Sequence, residues 1–316
     1  MMDVTGVKQF EKRGAACKSW RGTLLEEGER PMMHDAQSPS SHHPVTEHFL
    51  LLAGNRDDLA DPAELQAALR RMGLDPAAVA DPATIDTLHR DGAMWQVQFG
   101  GLSALVSVAA ADTGSASARA SDTRVNDTRA ADALVNDTRA ADARANDTRD
   151  APSVCLRVQP LAQMSPADII AESRELFKLA VLLIDLVGAH ELYWSPADLW
   201  SDAARFREAV VEMLDSGMPP VLHVVAFVDT GAGDAIVTRG LRYFCGQELV
   251  LETADGFDHL ARMRRFVRLA VDMAINGPIR APRIFPGLVP GELIRMTPER
   301  GPDDCTDRVR VRIGAA

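Results

Sequence analysis

The N-terminal thirty residues contain no apolar core of the kind a secretory signal needs. No apolar run is long enough to span a bilayer either. The most apolar stretch, Leu176 to Val187, is short and carries Lys178 and Asp185. These absences predict a soluble protein that stays in the cytoplasm. Cysteine is scarce, since Cys17, Cys155, Cys245 and Cys305 are the only four and lie far apart with no paired spacing. That pattern excludes a disulfide framework of the secreted type and offers no zinc motif, so neither a metal nor another cofactor is expected. Positive charge is in deficit too. Against 45 acidic residues stand 34 basic ones, a formal net charge of -11. A surface of that sign repels phosphate backbones and anionic headgroups, so nucleic acid and membrane are not expected partners.

What is present suffices for a folded protein: 46% of the residues are hydrophobic and 25% charged. Two segments stand apart from the rest. Residues 1–45 mix charge with Ser, Pro, His and Gly without a sustained period, and read as a disordered lead. Met32 and Met33 are alternative starts to Met1, and the adjacent His42 and His43 read as part of a solvated tail. Residues 111–151 hold an internal repeat. The octet Asn-Asp-Thr-Arg-Ala-Ala-Asp-Ala begins at Asn126 and again at Asn136, and opens once more at Asn146, a period of ten. Each copy offers little beyond alanine for burial, so the repeat reads as a disordered surface insert. Residues 46–110 and 152–316 are left to carry the fold as two halves packed into one domain.

Hydrophobic patterning in those halves alternates between strand and helix. The segment Glu47 to Ala53 reads as a buried strand, and Asp61-Pro62 caps and opens a helix closed by Gly73. Met94–Phe99 and Leu102–Val108 flank Gly100-Gly101 and predict a β-hairpin. After the insert, Val154–Val158 reads as a strand. Ser165-Pro166 opens a helix that runs to Val187 and carries apolar residues around most of its circumference. Glu191–Trp194 reads as a strand, and Ser195-Pro196 opens a helix through Leu214. Val221–Val228 predicts a central strand, Glu248–Glu252 another, Phe257–Ile275 a long helix, and Val309–Ile313 a half-exposed final strand. The fold class this implies is α+β, with antiparallel or mixed sheets, packed helices and two similar strand–helix–strand halves.

Two stretches carry resemblances. Val228-Asp229-Thr230-Gly231-Ala232-Gly233-Asp234 resembles the anion-hole signature of ribokinase-type sugar kinases. That likeness implies a phosphotransferase in which Gly231, Ala232 and Gly233 form the anion hole and Asp234 is the base. The same residues also read as a strand ending in an exposed Gly/Asp turn. Thr238-Arg239-Gly240-Leu241-Arg242-Tyr243-Phe244-Cys245-Gly246-Gln247-Glu248-Leu249 resembles the core of the bacterial family called domain of unknown function 4261, with Leu192-Tyr193-Trp194 as a further point of likeness. Cys245, between Phe244 and Gly246, departs from that family's pattern. The resemblance implies a soluble bacterial α+β protein and names no reaction.

Trp194, Thr238, Arg239, Gly240 and Glu248 are the candidate ligand-binding residues. Two glycines, at 240 and 246, permit close backbone approach, Thr238 and Glu248 offer a hydroxyl and a carboxylate, and Trp194 offers a flat surface. A purely structural role for the same residues, as caps and turns, stands beside that reading. His223 reads as a hydrogen-bonded core histidine, and His190 as a partner of helix carbonyls. Arg262, Arg264, Arg265 and Arg268 form a basic patch that reads as a solvated face, an ion-pair network or a contact for an acidic partner. No nucleophile–base, metal or phosphate constellation stands out. The function class expected is therefore a non-catalytic module that binds another protein or a ligand, with the phosphotransferase as alternative.

Overall fold

The computed structural model describes residues 48–79, 93–109, 154–161, 168–230, 235–252, 258–300 and 307–315. The residues 1–45, the insert, Ser165-Pro166 and the Gly231–Asp234 turn lie outside them. The chain is α+β, built on two sheets with one continuous core.

The first sheet has seven strands in the order β2-β3-β4-β5-β1-β6-β7, all paired antiparallel. They are β1 (Leu50–Gly54), β2 (Ala77–Ala78), β3 (Met94–Phe99), β4 (Leu102–Val108), β5 (Val154–Pro160), β6 (Glu191–Trp194) and β7 (Leu199–Asp202). The β3–β4 hairpin forms as the glycine pair predicts, with Gly100 in a left-handed conformation. Between β1 and β2 runs helix α1 (Pro62–Arg71), whose Asp61 side chain accepts from the Ala63 amide.

The insert is not the border between halves. The strand that follows it, β5, slots between β4 and β1, so the first sheet draws on both sides of the insert and ends at Asp202. A second difference lies at 195–214, expected as one helix. Ser195-Pro196-Ala197 form a 3-10 turn, Asp198 adopts a left-handed conformation with φ 51, and the chain doubles back as β7 before a helix begins at Ala203. Ser195 caps no long helix; its hydroxyl accepts from the Phe49 amide at 2.9 Å.

Helix α2 (Ile169–Val187) packs on this sheet and ends at a left-handed Gly188. Its Phe177 meets Trp194 and Phe206 edge to face, each at 5.7 Å between ring centres. Phe206 belongs to α3 (Ala203–Ser216), capped by Asp202.

The second sheet has six strands in the order β11-β12-β13-β10-β9-β8. These are β8 (Ala226–Asp229), β9 (Ile236–Arg239), β10 (Gln247–Leu251), β11 (Arg283–Pro286), β12 (Glu292–Arg300) and β13 (Asp307–Ala315). Only β10 and β13 pair in parallel. Of the apolar run Val221–Val228, expected as a strand, the first four residues form a helical turn, α4 (Val221–Val224), and the strand starts at Ala226. A nearly continuous apolar run satisfies a buried helical turn as well as a buried strand. Here Pro219 and Pro220 lead in, and the Val221 and Val225 amides close turns onto Pro219 and Val221 at 2.8 and 2.9 Å. The short helix α5 (Arg242–Cys245) joins β9 to β10, and α6 (His259–Asn276) covers the sheet, its Phe266 packed 5.8 Å from Phe227.

Candidate functional site

Three of the five residues singled out from the sequence converge into one internal unit. Thr238, on β9, donates its hydroxyl to Glu248 Oε2 at 2.7 Å and accepts from the Leu249 amide at the same distance. The other carboxylate oxygen, Oε1, accepts from the amides of Gly240 at 2.9 Å and Arg242 at 3.2 Å. Glu248 thus collects the otherwise orphaned amides at the start of α5, and Thr238 replaces one rung of the β9–β10 ladder. Burial pushes the Glu248 carboxyl above its usual range, while the hydrogen bonds from Thr238 and the backbone pull the other way.

Gly240 is indispensable to this turn. Its φ is +95, and a Cβ there would stand 2.7 Å from Ala197 Cβ and 2.8 Å from the Val224 carbonyl. Arg239 turns outward and pairs with Asp198 at 3.1 Å, both nearly half exposed. Trp194 lies wholly inside, its indole 4.9 Å from the Tyr243 ring, because alternate residues of β6 face the core. Tyr243 also meets His48 and Phe244, and its hydroxyl accepts from the Ser173 hydroxyl at 3.3 Å. Burial, and secondarily Arg242, lower the His48 pKa, which favours a neutral imidazole. His223 lies on α4 rather than in a strand, 6.2 Å from the Phe206 ring.

The arginine cluster on α6 does not act as one patch. Arg264 and Arg268 are exposed, but Arg265 is buried and binds Glu292 Oε1 and Oε2 at 2.5 and 2.7 Å. Glu292 opens β12, where its carbonyl accepts from the Gly287 amide at 2.8 Å and its amide donates to the Val289 carbonyl at 3.2 Å. Those bonds fix the loop between β11 and β12. Gly287 is required there, since a Cβ would fall 2.2 Å from Glu292 Cδ.

The β11–β12 hairpin so held displays large apolar side chains to solvent: Ile284 is 56% exposed, Val289 52%, Leu288 44% and Leu293 38%. The sequence pattern assigned no element between the Phe257–Ile275 helix and the Val309–Ile313 strand, because the prolines and glycines over 282–291 interrupt any strand period. The available signal was the run of Ile284, Phe285, Leu288, Val289, Leu293 and Ile294, too apolar for an ordinary loop. A separate groove of about 490 Å³ runs beside α2, lined by Ile170, Phe177, Met213 and Phe244, with Arg174 and the Lys178–Glu175 pair at its rim.

Among the described residues no group of three or more His, Cys, Asp or Glu side chains is placed to hold a metal ion. No helix among them is long and apolar enough to cross a membrane. The phosphotransferase candidate, Gly231–Asp234, falls outside the described residues. No family model, no curated protein and no solved structure matches the chain.

Proposed function

We propose that this chain is a soluble, cytoplasmic, non-catalytic module that binds another protein, and that the β11–β12 hairpin is its contact. The observation that carries this reading is the combination of exposure and rigidity at the hairpin. Apolar side chains that protrude on a surface mark interaction sites when they cluster. Here they cluster on a loop whose carboxylate anchor is itself buried against an arginine. A preformed contact loses less conformational entropy on binding than a mobile one. The acid and hydroxyl at Thr238 and Glu248 favour the same reading, because their hydrogen-bonding capacity is spent on holding a turn. The likeness to domain of unknown function 4261, in the Thr238–Leu249 segment, belongs to the same soluble bacterial setting and names no reaction.

The test is a photo-crosslinking amino acid placed at Leu288 in the chain expressed in its source cells, with Glu208, exposed on α3, as control position. A discrete protein adduct from position 288 that is missing from position 208 is the expected result. Identical adducts from both positions, or none, would remove the hairpin as a contact. Adducts that disappear when Leu293→Asp is added would tie the contact to the hairpin face.

A further inference from the structure

The outer face of the strands β11, β12 and β13 carries an arrangement that the fold does not use. Register places Ile284 opposite Arg295, and Arg295 directly opposite Arg312. Like charges facing each other across a ladder are destabilising unless something neutralises them. Arg312 is neutralised by Glu252. Arg310, two residues away, is shared between Glu252 at 3.0 Å and Glu299 at 2.8 Å. The Arg295 side chain is exposed and makes no hydrogen bond or ion pair among the described residues. Beside it on the same face stands Leu293, 38% exposed, between Pro286 on β11 and Gly314 on β13, which has no side chain to cover it. The face thus offers one guanidinium without a counter-charge among the described residues, between two partly exposed apolar side chains.

The backbone of β11 narrows what fits. Gly287 donates to the Glu292 carbonyl at 2.8 Å, so by the alternation of antiparallel ladders Phe285 and Arg283 also turn their backbone groups to β12. Ile284 and its neighbours Pro282 and Pro286 then present theirs to the open edge of the sheet. Proline has no N–H, so this edge has a single outward donor and resists addition of a further strand. A partner must be held by its side chains, as a helix laid on the face is.

Resting on the interaction reading above, we infer that this face docks an acidic amphipathic helix of a partner protein, its apolar side chains on Ile284 and Leu293 and a carboxylate on Arg295. A phosphate polymer or an anionic bilayer would meet the same arginine. Such extended polyanions would also meet the field of a chain whose formal charge is -11. A short helix samples only the local patch, and its apolar stripe answers Ile284 and Leu293.

The experiment is a display library of random helical peptides sorted on the folded full chain and counter-selected on the Ile284→Asp/Leu293→Asp variant. Enriched peptides should combine Asp or Glu with Leu, Ile or Phe at helical spacing. Their affinity should fall about ten-fold or more in Arg295→Glu, fall less in Arg295→Gln, and weaken with added salt. Face-dependent peptides without acidic bias, or affinities indifferent to Arg295, would overturn the inference. So would face-dependent binding to phosphatidylglycerol vesicles, or face-dependent self-association in sedimentation, with no acidic peptide selected. If position 288 still yields its specific adduct while the selected peptides are neutral, only the acidic chemistry fails; if neither adduct nor face-dependent peptide appears, both readings fall.

Discussion

The guanidinium of Arg265 grips the carboxylate of Glu292 through two bonds of 2.5 and 2.7 Å, with both residues only 5% exposed. The pair joins the middle of α6 to the first residue of β12, whose backbone bonds to Gly287 and Val289 close the hairpin loop. Breaking one side of a buried pair leaves an uncompensated charge in a poor solvent. Arg265→Ala should therefore lose about 3 to 5 kcal/mol in urea unfolding. The apolar replacement Arg265→Met with Glu292→Leu should recover most of that loss while releasing the loop. A single variant as stable as the parent would show the pair to be dispensable.

Two buried glutamates should respond to pH in opposite directions. Arg265 holds the Glu292 carboxyl below its usual 4.5. Its stabilisation is complete above that value and lost as pH falls through the depressed one. Burial holds the Glu248 carboxyl above its usual 4.5. The folded chain then keeps that proton more tightly than the unfolded chain, and the stabilisation is lost as pH rises through the raised value. In urea midpoints measured between about pH 3 and pH 8, the gap between parent and Glu292→Gln should widen with rising pH. The gap between parent and Glu248→Gln should narrow. Parallel profiles for the two variants would contradict this assignment.

Gly240→Ala should be costly for two reasons at once, a φ of +95 and contacts under 3 Å to Ala197 and Val224. A loss of about 2 to 4 kcal/mol is expected. Gly246→Ala shares the left-handed conformation, with φ +76, but opens onto free space, and should lose only about 1 to 2 kcal/mol. Equal losses at the two positions would show that packing against Val224 contributes nothing.

Burial pushes the Cys245 thiol up to about 12, which leaves almost no thiolate at neutral pH. Cys245 should stay unmodified by iodoacetamide at about pH 8 in the folded chain and react only after denaturation. Peptide mass spectrometry reads the site directly. Rapid native labelling would mean that this part of the core opens readily.

How far the sequence foretold this structure depended on how local the deciding interaction is. The β3–β4 hairpin, the Asp61 cap and the stop at Gly188 are each written within a few neighbouring residues, and all three form. The strand at Leu199–Asp202 is not legible that way, because it exists to pair with β6 across the turn at Asp198. The place of β5 between β4 and β1 depends on partners roughly fifty to a hundred residues distant in the chain. In the candidate site, the likeness at Thr238–Leu249 drew attention to residues that do meet, Thr238, Gly240 and Glu248. Their burial was invisible, because a strand position does not reveal which sheet neighbours will cover it. Trp194 shows the same limit, and so does the hairpin at 283–293, whose prolines and glycines disguise two paired strands.

Deleting residues 112–150 should shift stability by less than about 1 kcal/mol. The flanking strands are already neighbours: Val108 stands opposite Leu156, and the Ala109 amide donates to the Cys155 carbonyl at 2.7 Å. Thermal melting of the shortened chain measures this. A fall of more than about 8 °C would show that the segment supports the fold.

That abutment of Ala109 and Cys155 has an evolutionary corollary. The strands on either side of the repeat segment are already paired with each other, so the length of that segment does not enter their register. Replication slippage that adds or removes a whole Asn-Asp-Thr-Arg unit alters the length of the excursion and leaves the pairing partners of β4 and β5 in place. A shift of one residue within either flanking strand, by contrast, would turn its buried side chains to the opposite face of the sheet.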